Sequence, residues 1–469
     1  MLFSSSLFLF LFLPAVLLLY FGPLRPWRTG QNAFLFLASL FFYAWGEPWF
    51  VLVLLGSIVL NYLIGLAAGR VRSKGGKGRV FVVLATLIVN IGIIFVFKYL
   101  IFTIGTINAL LGTQITVPMI GLPMGISFFT LHSISYVLDI LRGKGEAQKN
   151  PLNLGLYITL FPQLIAGPII RYGTIAAELK ERRENWEDFS SGVCRFIFGL
   201  GKKVLLANNL AQIADAAVGA GGGSVSLAWL GAISYMLQLF FDFSGYSDMA
   251  IGLGRMFGFH FPENCNYPFI SNSVAELWRR WHISLGAWFR DYVYIPMGGS
   301  RVPRGRLVLN LLVVWFLTGL WHGANWTFIL WGLSFFVALF FEKLTPFGAF
   351  LDRHKGFGIF YTVTYFCIGF VFFRADNLTA AFHYLGSMIG LWGGSFWSAA
   401  TTLYLNEFKY FLLAGVLCST PLFRVLGRRL PQKSLLLDTG YSIVTTAILA
   451  VSVAYIIKGT YNPFIYFNF

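Results

Sequence analysis

Long apolar stretches separated by short charged loops make up most of the chain. Residues 7–21, 49–68 and 307–341 contain no Asp, Glu, Lys or Arg. An apolar run of about 20 residues is long enough to cross a bilayer as a helix, and these runs are too long for barrel strands. Because backbone polar groups in hydrocarbon must pair internally, the pattern predicts an all-α, polytopic transmembrane protein with about eleven to thirteen spans and further interfacial or re-entrant helices.

Composition supports a membrane protein. Only 12% of the 469 residues are charged and 57% are hydrophobic, whereas about 25% of a typical soluble domain is charged. The chain carries too much apolar surface for a water-soluble core. We predict a single transmembrane domain over residues 1–469. The first apolar run is expected to stay as a membrane helix, because no positively charged region precedes it and it has no small-residue cleavage site.

The positive charge is concentrated in short loops between the apolar runs. The net charge is +16, and basic clusters occupy residues 25–28, 70–79, 301–306 and 424–433. Basic loops stay on the cytoplasmic side, which places the N-terminus outside. We therefore expect this charge to contact membrane lipids, an acidic acyl carrier or a phosphate-bearing donor, and we expect no nucleic acid.

Two histidines lie where charge is scarce. His322 interrupts the uncharged run 307–341, and His282 lies in a segment rich in Trp and Arg. An ionisable group at membrane depth usually faces a cavity, a partner or a pathway. The alternative is a neutral imidazole packed between helices, which is our preferred interpretation for a third histidine, His132.

A polar patch follows the apolar run 227–243. It contains Asp242, Ser244, Tyr246 and Asp248, which need partners at membrane depth. They either line a pathway or form a packing network, and a structural pairing of both carboxylates with arginines is the slightly favoured interpretation.

Residues 276–292 show helical periodicity. Their leucines and aromatic residues fall on one arc, with Arg279 and Arg290 opposite, which predicts a helix lying at the membrane interface. Arg279 and Arg280 either bind donor phosphate or extend to the membrane surface.

Known motifs exclude several chemistries. Nucleotide-binding, zinc-protease and serine-hydrolase signatures are absent, and the four cysteines are scattered, so we expect no metal site and no disulfide framework. Two histidines beside polar residues suit proton transfer: a neutral imidazole takes a proton from a hydroxyl that attacks an acyl carbonyl, then returns it to the leaving thiolate.

Three segments together resemble the membrane-bound O-acyltransferase (MBOAT) family. They are FDFSGYSDMAIGLG at 241–254, WRRWHIS at 278–284 and GLWHGAN at 319–325. Shorter matches occur at FPQLIAGP, 161–168, and FFRA, 372–375. The resemblance is to the bacterial branch that O-acetylates alginate and transfers D-alanine to teichoic acids.

The resemblance implies a fold, an activity and site residues. Tilted helices would surround a central tunnel, with His322 as the catalytic histidine and His282 as its assistant. Donor-binding or tunnel-lining roles would fall on the following residues: Trp278, Arg279, Arg280, Asp242, Ser244, Tyr246, Asp248 and Asn325.

The expected function is acetyl transfer from a cytosolic thioester, acetyl-coenzyme A or an acyl carrier, towards an extracytoplasmic polysaccharide. No tightly bound cofactor is expected. Partners would be an SGNH-type acetyltransferase outside the bacterial inner membrane and the polysaccharide machinery. D-alanyl transfer to teichoic acid is the alternative within the family. A secondary transporter is a distant alternative, because the chain lacks the paired broken helices and internal repeats expected of one.

Overall fold

The computed structural model describes residues 1–72, 76–429, 434–459, 461–463 and 465, and the regular structure in these ranges is entirely helical. The predicted all-α class is therefore confirmed. The basic loops at 70–79 and 424–433 fall partly outside the described residues. The α-helices are α1 Leu13–Phe21, α2 Arg28–Ala44, α3 Phe50–Val71, α4 Gly76–Ile94, α5 Leu100–Leu111, α6 Ile126–Leu141, α7 Pro151–Thr159, α8 Phe161–Leu164, α9 Tyr172–Glu181, α10 Trp186–Gly201, α11 Asn208–Gly219, α12 Val225–Met256, α13 Val274–Arg280, α14 Ile283–Phe289, α15 Arg304–His322, α16 Trp326–Leu344, α17 Phe347–Arg353, α18 Lys355–Arg374, α19 Leu378–Met388, α20 Ala399–Cys418, α21 Leu422–Arg429 and α22 Leu435–Ile457.

Fewer helices are long enough to span a membrane than the sequence predicts. Among the described residues seven pass on length and composition, and an eighth is added if α20 and α21, bent by 63°, form one span. Shorter apolar helices, among them Phe8–Phe21 and α6, fall below the length used for this count.

The chain divides into two compact units. The first contains Met1–Phe196 and Met249–Pro262, and the second contains Ile197–Asp248 and Glu263–Ile465. Helices α10 and α12 contribute residues to both. The single domain predicted over residues 1–469 stays a prediction.

In the first unit, polar side chains pair with one another away from water. Asn61 on α3 and Asn90 on α4 exchange amide hydrogen bonds of 3.1 and 2.8 Å. His132 on the buried helix α6 accepts a hydrogen bond of 3.1 Å from the backbone N–H of Ile170, and its ring meets Tyr157 edge-on. These contacts support our interpretation of His132 as a packing residue.

Within the described ranges, four short π-helical segments widen the helices locally. They are Phe8–Phe12, Phe95–Tyr99, Lys202–Ala207 and Arg290–Tyr294. Three of them carry charged side chains. A π-helical turn holds one more residue than an α-helical turn and frequently marks a functional region.

Helices α15 and α16 form a tight hairpin in the second unit. A Cβ built on Gly319 would lie 2.5 Å from the backbone oxygen of Phe328, and one on Gly332 would collide with the backbone oxygen of Trp315. Only glycine permits such an approach of two backbones. The hairpin therefore fixes the end of α15, where His322 lies.

Gly319→Ala should destabilise this hairpin. The added methyl group meets a backbone oxygen that cannot rotate away, so we expect a loss of about 1–3 kcal/mol, as in an overpacked core. The measurement is the melting temperature of the purified protein in detergent. Gly305→Ala, on the same helix with nothing within 4 Å of the new Cβ, is the control and should be neutral or stabilising. Equal effects of the two changes would contradict the hairpin packing.

Candidate functional site

His322, the last residue of α15, is enclosed by aromatic rings. Its side chain is 3% exposed. The imidazole centroid lies 4.9 Å from that of Trp331 and 5.3 Å from that of Phe373, both nearly edge-on. The neighbouring ring of Trp321 is 4.8 Å away. On these sides the imidazole is shielded from bulk water.

His282 lies at a break between α13 and α14. Its backbone adopts the left-handed conformation, with φ of 47°, which costs an ordinary residue about 1–2 kcal/mol. The ring is 1% exposed and packs 4.5 Å from Phe243, centroid to centroid. Burial lowers the pKa of His282 to about 3, so the imidazole is neutral at physiological pH.

The two histidines face each other. Their ring centroids are 6.4 Å apart and the ring planes are inclined by 70°. No other residue in the described part of the chain hydrogen-bonds to either ring nitrogen of His282. A buried polar atom normally has a partner, so the ring nitrogens of His282 stand out as candidate contacts for a bound group.

Asn264 holds the turn that carries His282. Its side-chain oxygen accepts hydrogen bonds from the backbone N–H and the hydroxyl of Ser284, at 3.1 and 2.8 Å. Its side-chain amide donates to Ser247 on α12 at 3.2 Å, and its backbone carbonyl accepts from the N–H of Ile283 at 3.0 Å. The sequence analysis missed Asn264, because an asparagine in a loop carries no signal of a contact 20 residues away.

The prediction of one continuous interfacial helix over residues 276–292 is wrong. The helix breaks at Trp281 and His282, and its aromatic residues pack inside the protein. Trp278 meets Trp315 at 4.8 Å and Phe335 at 5.1 Å, centroid to centroid. The left-handed residue at the break is not visible in helical periodicity.

The N-terminus of α13 is held by a carboxylate from another helix. Glu342 on α16 accepts hydrogen bonds from the N–H groups of Val274 and Ala275, at 2.7 and 2.9 Å. A negative charge at this end complements the helix dipole. At the other end, Arg280 pairs with Glu276 at 2.9 Å, while Arg279 is exposed.

The carboxylates of the polar patch pair with lysines. Asp242 lies 2.7 Å from Lys203, with both side chains buried, and Asp248 lies 2.6 Å from Lys202. The preference for a structural pairing fits, and the partners seen are lysines where arginines were predicted. The lysines occupy the π-helical segment Lys202–Ala207, about 40 residues earlier in the chain, and the sequence shows no link between them.

The remaining predicted residues have separate positions. Ser244 and Tyr246 are buried on α12. Asn325 begins α16, accepts a hydrogen bond from the N–H of Thr327 at 3.2 Å and donates to the carbonyl of Asp376 at 2.8 Å. It is therefore a helix cap beside the histidine rather than a group aimed at it.

The last described residues lie against the polar groups of the second unit. The Tyr461 hydroxyl donates to Asp215, which also pairs with Arg374 at 3.0 Å. The N–H of Ile465 donates to Asp242 at 3.1 Å, and Lys203 donates to the carbonyl of Pro463. Sequence analysis assigned no role to this segment.

Asn264→Ala should loosen the turn around His282. It leaves the N–H and hydroxyl of Ser284 without their acceptor, so we expect a loss of about 2 kcal/mol in stability. The melting temperature measures this. In a double-mutant cycle with Ser284→Ala, the double variant should lose less stability than the sum of the two single losses, because both changes remove the same contact. Full additivity would contradict the role of Asn264.

Comparison with known proteins identifies the family that the motifs suggested. The model of the membrane-bound O-acyltransferase family matches residues 129–373. The probable alginate O-acetylase AlgI of Azotobacter vinelandii is 41% identical over 83% of this chain and 78% of its own length. That of Pseudomonas putida is 37% identical, with 100% of both chains covered. The peptidoglycan O-acetyltransferase of Helicobacter pylori is 33% identical over 100% of this chain and 98% of its own. The chain therefore belongs to the MBOAT family of multi-pass membrane acyltransferases.

Proposed function

We propose that this enzyme transfers an acetyl group from a cytosolic thioester towards an extracytoplasmic polysaccharide. The observation that carries the proposal is the pair of buried imidazoles of His322 and His282, with ring centroids 6.4 Å apart. The names of relatives that align over most of the chain, alginate O-acetylase and peptidoglycan O-acetyltransferase, support acetyl over D-alanyl as the group transferred. Membership of an enzyme family favours acyl transfer over the transporter alternative.

His322 is the proposed general base. The acceptor hydroxyl attacks the thioester carbonyl carbon while His322 takes the hydroxyl proton. The C–S bond then breaks, and the same proton passes to the leaving thiolate, which yields an acetyl ester and a free thiol. Such proton transfer contributes about 10²–10⁴-fold to a rate. The aromatic enclosure excludes water, which would otherwise hydrolyse the thioester.

His282 is the proposed positioning partner. Because burial keeps its pKa low, at about 3, the neutral ring has one N–H to donate. Directed at the thioester carbonyl, this donor would stabilise the negative charge that develops on the oxygen during attack. The strained backbone held by Asn264 supports this role, since a fixed donor needs no reorganisation during the reaction.

The proposed orientation follows the charge of the loops. Basic residues before α15, at 301–306, would face the cytosol, and the N-terminus would lie outside the bacterial inner membrane. The exposed Arg279 could then meet the phosphates of acetyl-coenzyme A or the acidic surface of an acyl carrier. No tightly bound cofactor is needed. The acetyl group would pass outside to an SGNH-type partner and the polysaccharide machinery, with an alginate-type polymer as the favoured final acceptor.

His322→Ala should lower acetyl transfer by at least about 100-fold, as expected for loss of a general base. His282→Ala should lower it by about 10-fold or more, as expected for loss of a donor to the carbonyl oxygen. The measurement is transfer of label from acetyl-coenzyme A to polymer in membranes that contain equal amounts of each variant.

His354→Ala is the matched control, because His354 is exposed between α17 and α18. It should leave transfer unchanged. Near-normal transfer by His322→Ala would show that this histidine is only a packing residue. If the wild type uses D-alanine on a carrier protein and ignores acetyl-coenzyme A, the D-alanyl alternative replaces our proposal.

A further inference from the structure

A groove of about 650 Å³ lies beside α1 in the first unit. One wall is apolar and consists of Leu17, Leu18 and Phe21. Leu18 is 73% exposed. Arg25 lies at the end of this wall. The groove thus combines a hydrocarbon-like surface with a cationic end.

The charge of Arg25 is not neutralised by its neighbours. Among the described residues its side chain makes no hydrogen bond or ion pair. The only carboxylate lining the groove, Glu184, is already engaged: Arg28 donates to its two oxygens at 2.5 and 2.9 Å, and Tyr20 donates to one of them. Arg25 therefore brings a positive charge to the groove, with guanidinium donors that no described residue engages.

Two aromatic residues of α10 also line the groove. Trp186 is 80% exposed and stacks on Phe189, with the ring planes inclined by 4° and the centroids 5.4 Å apart. Phe21 meets Phe189 edge-on at 5.6 Å. An exposed tryptophan beside an arginine is typical of the level at which lipid headgroups meet the acyl chains.

We propose that this groove binds one anionic phospholipid, with its phosphate on Arg25, an acyl chain along Leu17 and Leu18, and its glycerol region against Trp186. Charge complementarity selects this occupant. An acidic peptide would match the arginine but not the apolar wall, and a zwitterionic lipid would place its own cation near the guanidinium groups. The proposal concerns the first unit alone and does not depend on the acyl-transfer chemistry.

The test uses purified full-length protein in nanodiscs of phosphatidylcholine, with and without phosphatidylglycerol. A lipid that binds only the folded protein raises the melting temperature, here by about 5 °C for the wild type. Arg25→Gln should lose more than half of this shift while its melting temperature in phosphatidylcholine stays unchanged. Trp186→Ala should reduce the shift by a smaller amount. Glycerol phosphate, added to phosphatidylcholine discs, should produce no shift.

Arg301→Gln is the matched control, because Arg301 is also an exposed arginine in a basic loop and should keep the full shift. If Arg25→Gln and Arg301→Gln lose the same part of the rise in melting temperature, the effect comes from general surface charge and the proposal is overturned. If Arg25→Gln is unstable even in phosphatidylcholine, Arg25→Lys is tested instead, because it keeps the charge. This variant should keep the rise in melting temperature with phosphatidylglycerol, and loss of that rise overturns the proposal. A full shift with glycerol phosphate would show a simple anion site instead.

Discussion

Polar side chains buried in a membrane-spanning protein must find their partners within the protein, because hydrocarbon supplies none. The amide pair of Asn61 and Asn90 and the ion pair of Asp242 and Lys203 obey this constraint. His282 departs from it: its ring is buried, yet no other described residue hydrogen-bonds to its nitrogens. A buried imidazole with this arrangement is consistent with the donor role proposed for His282.

The surroundings of the two histidines are rigid for different reasons. His322 ends a helix whose position is set by the contact of backbones at Gly319 and Gly332. His282 occupies a strained backbone conformation that persists because Asn264 fixes the next residues. Strain of this kind survives only where the surrounding structure over-determines it. Preorganised groups of this type are what acyl transfer requires.

The sequence predicts those features that depend on local pattern. Apolar runs predict the helices and the all-α class. The three motifs predict the family and single out both histidines. The geometry that relates the histidines is not local: the break at His282 depends on Asn264, and no periodicity in the sequence reveals that long-range contact.

Ion pairs between residues that are far apart in the chain are also not predictable from the sequence. Nothing in the sequence near Asp242 distinguishes lysine from arginine as its partner, since the partner lies on a different helix. The predicted number of spans exceeds the seven or eight described helices that pass on length and composition, because apolar composition alone does not tell a short buried helix from a crossing one. Helix α6, in which 15 of the 16 residues are buried, is as apolar in many positions as a span but is surrounded by protein.

The π-helical segment Lys202–Ala207 has a consequence for how the chain tolerates changes in length. Its extra residue allows two consecutive lysines to reach Asp242 and Asp248, which lie about 9 Å apart along α12. Deleting one residue there would let the turn relax to an ordinary α-helix without displacing α11, so the fold would survive. The two lysines would then no longer reach both carboxylates. A homologue that is one residue shorter in this turn would therefore need different charged residues on one of the two helices.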